Sequence, residues 1–228
     1  MTINAATLSR AAGLAAAAAG ILFIGVQIGH PQLNAMTVTT TEVLIRDSLK
    51  IVMAALALAG LAGLYLRQVK QSGVLGLLGY LTLSTGYLLM MSTAFVAAFI
   101  LPSIAGAVPD YVDAVTAAAT GRPATGGDIG LLATVLKVQD ITYLAGGLIF
   151  GVALFRARIL PRWAAAVLAA GGIVTIALSY LPDAFYRLLA FPNGIAMIAL
   201  GVSLWRASRP PTDPAAATAE PALETSVR

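Results

Sequence analysis

Cysteine is missing from this chain, histidine occurs once, and charged residues make up only 11% of its 228 positions. The first absence excludes disulfides, thiol catalysis and cysteine-ligated metals, and leaves the redox compartment open. The second excludes a metal centre built from several histidines, since His30 stands alone. The third excludes an ordinary water-soluble domain, in which about a quarter of residues are charged. Several motifs are missing too: the Gly-x-x-x-x-Gly-Lys-Ser/Thr phosphate loop, the His-Glu-x-x-His zinc pair and the Gly-x-Ser-x-Gly nucleophile elbow. There is no paired aspartate-rich motif for a Mg²⁺-bound diphosphate, and no arginine ladder of the voltage-sensor kind. No catalytic residue, metal site or cofactor is assigned from motifs, and the chain reads as a non-enzymatic protein.

What is present in excess is apolar side chain: 59% of residues are hydrophobic and the mean hydropathy is +0.87. A helix crossing the hydrocarbon needs about 20 mainly apolar residues. Six stretches meet that length, at about 11–28, 44–66, 73–101, 131–155, 161–181 and 184–205. The first begins near Arg10, and its apolar run is longer than the roughly 7 to 15 residues of a signal-peptide core, so it is kept as a permanent helix. The expected fold is all-α, a polytopic six-transmembrane-helix bundle over residues 1–206. The tail, 207–228, rich in proline, alanine and acids with nothing large to bury, is expected to be disordered.

The net charge of +4 does not point to nucleic acid, because the basic residues are dispersed as flanks of the apolar runs. Arg10, Arg67, Lys70, Arg156, Arg158, Arg162, Arg206 and Arg209 fall on one side of the six-span scheme. Arg46, Lys50, Arg122 and Arg187 fall on the other. Lysine and arginine in short connections resist translocation, so both termini are expected in the cytoplasm of a cell bounded by an inner membrane. Trp163 and Trp205 then lie at the cytoplasmic interface and Tyr180 near the outer one. The lipid bilayer is the first partner, and no nucleic-acid partner is expected.

Between the third and fourth spans, Pro109-Asp110 followed by Val112, Val115 and Ala119 suggests a short amphipathic surface helix ended by Gly121. Thr39 and Glu42 have capping-box spacing at the start of the second helix. Pro192 and Gly194 predict a kink or a short interfacial helix in the last segment.

Ionisable groups in lipid are costly enough to need a reason. Lys137 and Asp140 lie at an i,i+3 spacing that permits pairing, and Tyr143 continues that face. They read either as a relay or polar-ligand anchor, or as an interfacial pair with Lys137 snorkelling to water; the distance back from Arg156 favours the second. Glu42, Arg46, Asp47 and Lys50 read first as a solvated helix face. The two clusters share a membrane side, so Asp47, Lys50, Lys137, Asp140 and Tyr143 are candidates, with His30, to line one outward-facing polar pocket. His30 itself, in Gly29-His30-Pro31, marks a helix break and reads first as a capping residue. Gly147 and Gly151 have the small-xxx-small spacing of close helix approach.

The run Gly147-Leu148-Ile149-Phe150-Gly151-Val152-Ala153-Leu154-Phe155, followed by Arg158-Ile159-Leu160-Pro161-Arg162-Trp163, resembles a bacterial family of multi-spanning membrane proteins of unknown function, of the DUF4386 type. Pro192 and Leu204-Trp205-Arg206 extend that resemblance, which covers about residues 140–206. Family members often carry Gln-Glu-Met in the last helix where this chain has Ile195-Ala196-Met197, so no role of that carboxylate transfers. The resemblance implies the six-helix architecture and no catalytic residue. The function expected first is a binding or accessory protein taking a small lipophilic ligand or a membrane-protein partner. A transporter using Lys137, Asp140 and Tyr143 is the alternative, and a lipid-acting intramembrane enzyme using His30, Asp47 and Lys50 is the third.

Overall fold

The computed structural model describes residues 4–122, 127–178 and 190–208, and among them it is all-α with no strand. Helix α1 spans Ala5–Gly25, α2 Thr41–Arg67, α3 Val69–Phe95 and α4 Leu101–Ile104. Helix α5 spans Pro109–Ala119, α6 Leu131–Ala157, α7 Arg162–Leu178 and α8 Ala190–Ala207. Four stretches among the described residues are long and apolar enough to cross a membrane: Ala5–Gly25, Thr41–Arg67, Val69–Ile104 and Leu131–Ala157. Many large apolar side chains on them face outward, Leu14, Ile21, Val52, Leu78, Leu81 and Ile141 among these, as expected where lipid replaces water as the solvent.

Each helix packs against its neighbour in the order α1, α2, α3, α6, α7, α8, and α8 returns to α1, closing a ring. Small residues set the seams, because in lipid close backbone approach replaces the hydrophobic drive. A methyl group placed on Gly86 would stand 2.7 Å from the backbone nitrogen of Tyr143, so α3 and α6 touch backbone to backbone there. Gly79 meets Phe150 and Gly146 meets Leu83 on the same antiparallel seam. Gly13 and Gly20 of α1 meet Gly201 and Gly194 of α8, and Gly60 and Gly63 of α2 meet Ala16 and Ala12. The Gly147/Gly151 spacing does serve a helix pair: Gly151 stands against Ala165 and Ala169 of α7, and Gly147 faces Leu168 more loosely.

The termini of the helices follow local rules, with some shifts from expectation. Asn4 caps α1, its side chain accepting from the Thr7 amide at 2.8 Å. Helix α2 is capped by Thr40 and not by Thr39, whose hydroxyl turns back to the Met36 carbonyl; the capping-box expectation is one residue out of place. Pro161 stands just before α7, and its carbonyl accepts from Ala164 and Ala165. Beyond Phe95, Val96–Ile100 winds as a π-turn with Leu101 bonded back to Val96. Pro102 accounts for it: proline lacks an N–H and crowds the carbonyl four residues back, so the ladder widens by one.

Pro109 opens α5, and the turn at Gly121 (φ +69°) closes it, with Arg122 N–H bonded to Ala117 O and Gly121 N–H to Ala118 O. The helix is not spread on a surface: Val112, Ala114, Val115 and Thr116 are buried against Val38, Leu101, Ala105 and Leu136. Pro192, Asn193 and Gly194 lie within α8, where Gly194 faces α1. The expected tail from Arg209 onward, Tyr180 and Arg187 lie outside the described residues.

Candidate functional site

The glycine ladders run out partway along the bundle, and a cavity begins there. On α3 the last close contact is Gly86 against Tyr143; from one turn on, Met90, Thr93 and Ala94, and then Ala97 of the π-turn, are cavity wall. On α1 the ladder ends at Gly20, and Phe23, Val26 and Gln27 follow as wall. On α2, Ala57 and Ala54 are fully buried, and Met53, Lys50 and Asp47 line the space beyond them. Its volume is about 460 Å³, within the range of small-molecule sites. Met53 and Tyr143 each lie 12 residues inside a 27-residue helix, so the cavity reaches about 18 Å down the axis from those helix ends.

Of the six candidates read from sequence, five surround this space: His30, Asp47, Lys50, Asp140 and Tyr143. Lys137 does not. Three residues make less than a full turn, so Lys137 is offset by about 60° from Asp140 and falls on the outward face with Ile141 and Leu148. Lys137 and Asp140 form no ion pair; the pairs among the described residues are Glu42–Arg46 and Asp47–Lys50.

Lys50 is the centre of the polar wall. Its ammonium donates to Asp47 Oδ1 at 2.6 Å and to His30 Nε2 at 3.0 Å. The other ring nitrogen of His30 lies 2.8 Å from the Pro31 carbonyl, which can only accept. Nδ1 therefore carries the proton, Nε2 accepts from Lys50, and the imidazole is neutral. The Gly29-His30-Pro31 break, with Gly29 at φ +66°, brings the ring over α2. Asp47 is 1% exposed, and its second oxygen, Oδ2, has no hydrogen-bond partner among the described residues.

Tyr143 holds the deep end. Its ring stacks on Phe23 of α1 at 6.2 Å and meets Tyr87 of α3 edge-on at 5.4 Å, and its hydroxyl accepts from Asn193 Nδ2 of α8 at 3.0 Å. Gln139 accepts from Thr93 at 2.7 Å across the α3–α6 seam. Sequence reasoning missed Asn193, Gln27 and Thr93 as wall residues. Asn193 carried a signal, an amide between Pro192 and Gly194 in an apolar segment; Gln27 and Thr93 each lie about two turns past a ladder's end.

The loop between α1 and α2 and the end of α5 cover the same region. Arg46 donates to the Val26 and Ile28 carbonyls, satisfying the open end of α1. Arg122 donates to the Leu33 carbonyl at 2.8 Å, and Asp113 accepts from the Ala35 amide at 2.6 Å. These latches seat Pro31 and Leu33 beside Ala119, Thr120 and Gly121, all of which line the cavity. No cluster of three or more His, Cys, Asp or Glu suited to a metal ion occurs among the described residues. Comparison with family models, with curated proteins and with solved structures finds no match.

Proposed function

We propose that this chain is a six-span protein of a bacterial inner membrane, with both termini in the cytoplasm, that holds a small amphiphilic ligand in the cavity without transforming it. The count of six takes α7 and α8 as spans alongside the four long apolar helices, since all six close one ring. The orientation rests on the eight-to-four excess of lysine and arginine at the ends away from the cavity. Likeness to the DUF4386 type, through Pro161-Arg162-Trp163 and Leu204-Trp205-Arg206, belongs to the same reading.

The observation that carries the ligand reading is the division of the wall. Met53, Met90, Ala94, Ala97 and Leu144 offer apolar surface, while His30, Asp47, Lys50 and Asp140 offer polar groups to the same 460 Å³. A 27-residue helix is about 40 Å long and the hydrocarbon about 30 Å thick, so a cavity 18 Å deep would reach near the bilayer middle. A molecule with a polar head and an apolar body fits that gradient.

A catalytic reading draws on the convergence of His30, Asp47 and Lys50 on one point. The hydrogen bonding favours binding over catalysis: both ring nitrogens of His30 are engaged, and Lys50 is held as a double donor. A resting general base needs an available lone pair, and of the three residues the one left open is Asp47 Oδ2, which is buried away from the cavity space. The test is cavity filling. Ala97→Phe should abolish the thermal stabilisation of the detergent-purified chain by eight-carbon alkyl compounds while leaving its unliganded melting temperature within a few degrees. If no alkyl compound raises the melting temperature of the unmodified chain, the proposal is wrong.

A further inference from the structure

Among the described residues, the charged side chains lining the cavity are Asp47, Lys50 and Asp140. His30 is neutral by its hydrogen bonds, so one cation stands with two carboxylates. The cation is already committed to Asp47 Oδ1 and to His30. What remains open is negative. Asp47 Oδ2 is buried and has no donor, although the residue is 1% exposed. Asp140 faces the same space from α6, on the far side of α3 from α2, with no ion pair.

A carboxylate oxygen out of reach of water and without a donor carries its full desolvation cost. A positive charge brought by a ligand offsets that cost and balances the excess carboxylate, and an N–H on the same group can reach Asp140, which is exposed. Resting on the amphiphile reading above, we infer that the cavity selects a head group bearing a primary or secondary ammonium. Asp140, exposed on the wall, accepts its N–H, Asp47 adds a second negative charge from within the wall, and the alkyl body lies along Met53, Met90 and Ala97. Quaternary ammonium has the charge and no N–H; an alcohol has the donor and no charge; a carboxylate is repelled. The same chemistry is carried by a free alkylamine and by the ethanolamine head of a membrane lipid.

The experiment titrates the full chain, purified in an uncharged maltoside detergent, with octylammonium, octyltrimethylammonium, octanol and octanoate. Octylammonium should bind about tenfold or more tightly than the trimethyl analogue and the alcohol, the margin of one charge-assisted hydrogen bond, and octanoate weakest. Asp140→Asn, at an exposed position outside any ion pair, should remove most of that margin and leave octanol binding unchanged. Asp47→Asn should weaken both cations by a similar, smaller factor; if it does not fold, Asp140→Asn alone keeps the inference testable. Equal binding of all four compounds, or tightest binding of octanoate, overturns the inference while sparing the amphiphile reading. Binding of none overturns both. In phosphatidylcholine nanodiscs, added phosphatidylethanolamine should weaken octylammonium binding if the lipid head is the occupant. An unchanged affinity there assigns the site to a free amine.

Discussion

The two ends of the bundle are made from the same helices and do opposite things. Toward the chain termini, Gly13, Gly60, Gly63, Gly79, Gly146 and Gly201 let backbones touch, and Leu61, Leu64, Phe150, Leu154, Leu200 and Leu204 fill the centre with no exposure. At the other end the glycine contacts between helices stop, and Met53, Met90, Thr93 and Asn193 hold the helices around a space they do not fill. Both ion pairs among the described residues lie at that second end. The cavity is thus a consequence of where the ladders end: tight closure on one side fixes the helix axes, and larger or polar side chains on the other leave room.

The sharpest way to break this contrast is to put bulk on the last rung. Gly86→Leu would drive a branched side chain into the Tyr143 backbone, which has no flexible end to yield. Overpacking at a site that cannot relax costs about 3 kcal/mol or more. The melting temperature in detergent should fall steeply, and ligand binding should be lost with the displacement of Tyr143. Gly106→Ala, where nothing lies within 4 Å and no positive φ is required, should change stability by no more than about 0.5 kcal/mol. Equal effects of the two substitutions would remove the distinction between ladder and loop.

Much of the first end was legible in the chain. Apolar length marked the four long helices, with ends within about six residues of expectation, since a spanning run has few other uses. Pro109 and Gly121 bounded α5 because one needs no N–H and the other tolerates positive φ. The ladders were visible only in part: Gly147 and Gly151 were noticed, while Gly13/Gly20, Gly79/Gly86 and Gly194/Gly201 repeat every seven residues, a period that keeps one face against an antiparallel neighbour. The site was legible as a set of polar residues on one side, and not as faces. An i,i+3 spacing permits an ion pair, but it does not say that both partners share a face, and the packing of α6 put Asp140 on the cavity wall and left Lys137 off it. Whether Asp47 would be buried or solvated depended on the loop at Gly29, whose path no local pattern encodes.

The cavity end should also be the softer one, and its latches show where. Arg122 ties the end of α5 to the loop before α2 through a single bond to the Leu33 carbonyl, with a second to Thr120 next door. Arg122→Gln should cost about 1 kcal/mol, the scale of one partly exposed hydrogen bond. Amide exchange should rise across 33–40 and around Thr120 and stay unchanged along the α3–α6 seam. A uniform rise over the whole chain would mean that the two ends open together and that the comparison has no dynamic content.

The smallest effect separates the two roles of Arg46. Glu42 pairs with it at 2.9 Å, but the Glu42 side chain is 54% exposed and is in the first turn of α2. Exposed pairs at i,i+4 contribute about 0.3 to 0.5 kcal/mol, so Glu42→Gln should shift the melting temperature by little, and less still in high salt. The guanidinium keeps its bonds to Val26 and Ile28, which satisfy carbonyls that the end of α1 leaves open whatever stands at position 42. Arg46→Gln should therefore cost clearly more than Glu42→Gln. If the two substitutions cost the same, the arginine serves the ion pair alone, and the cavity rim at Val26 is held by the loop that carries His30.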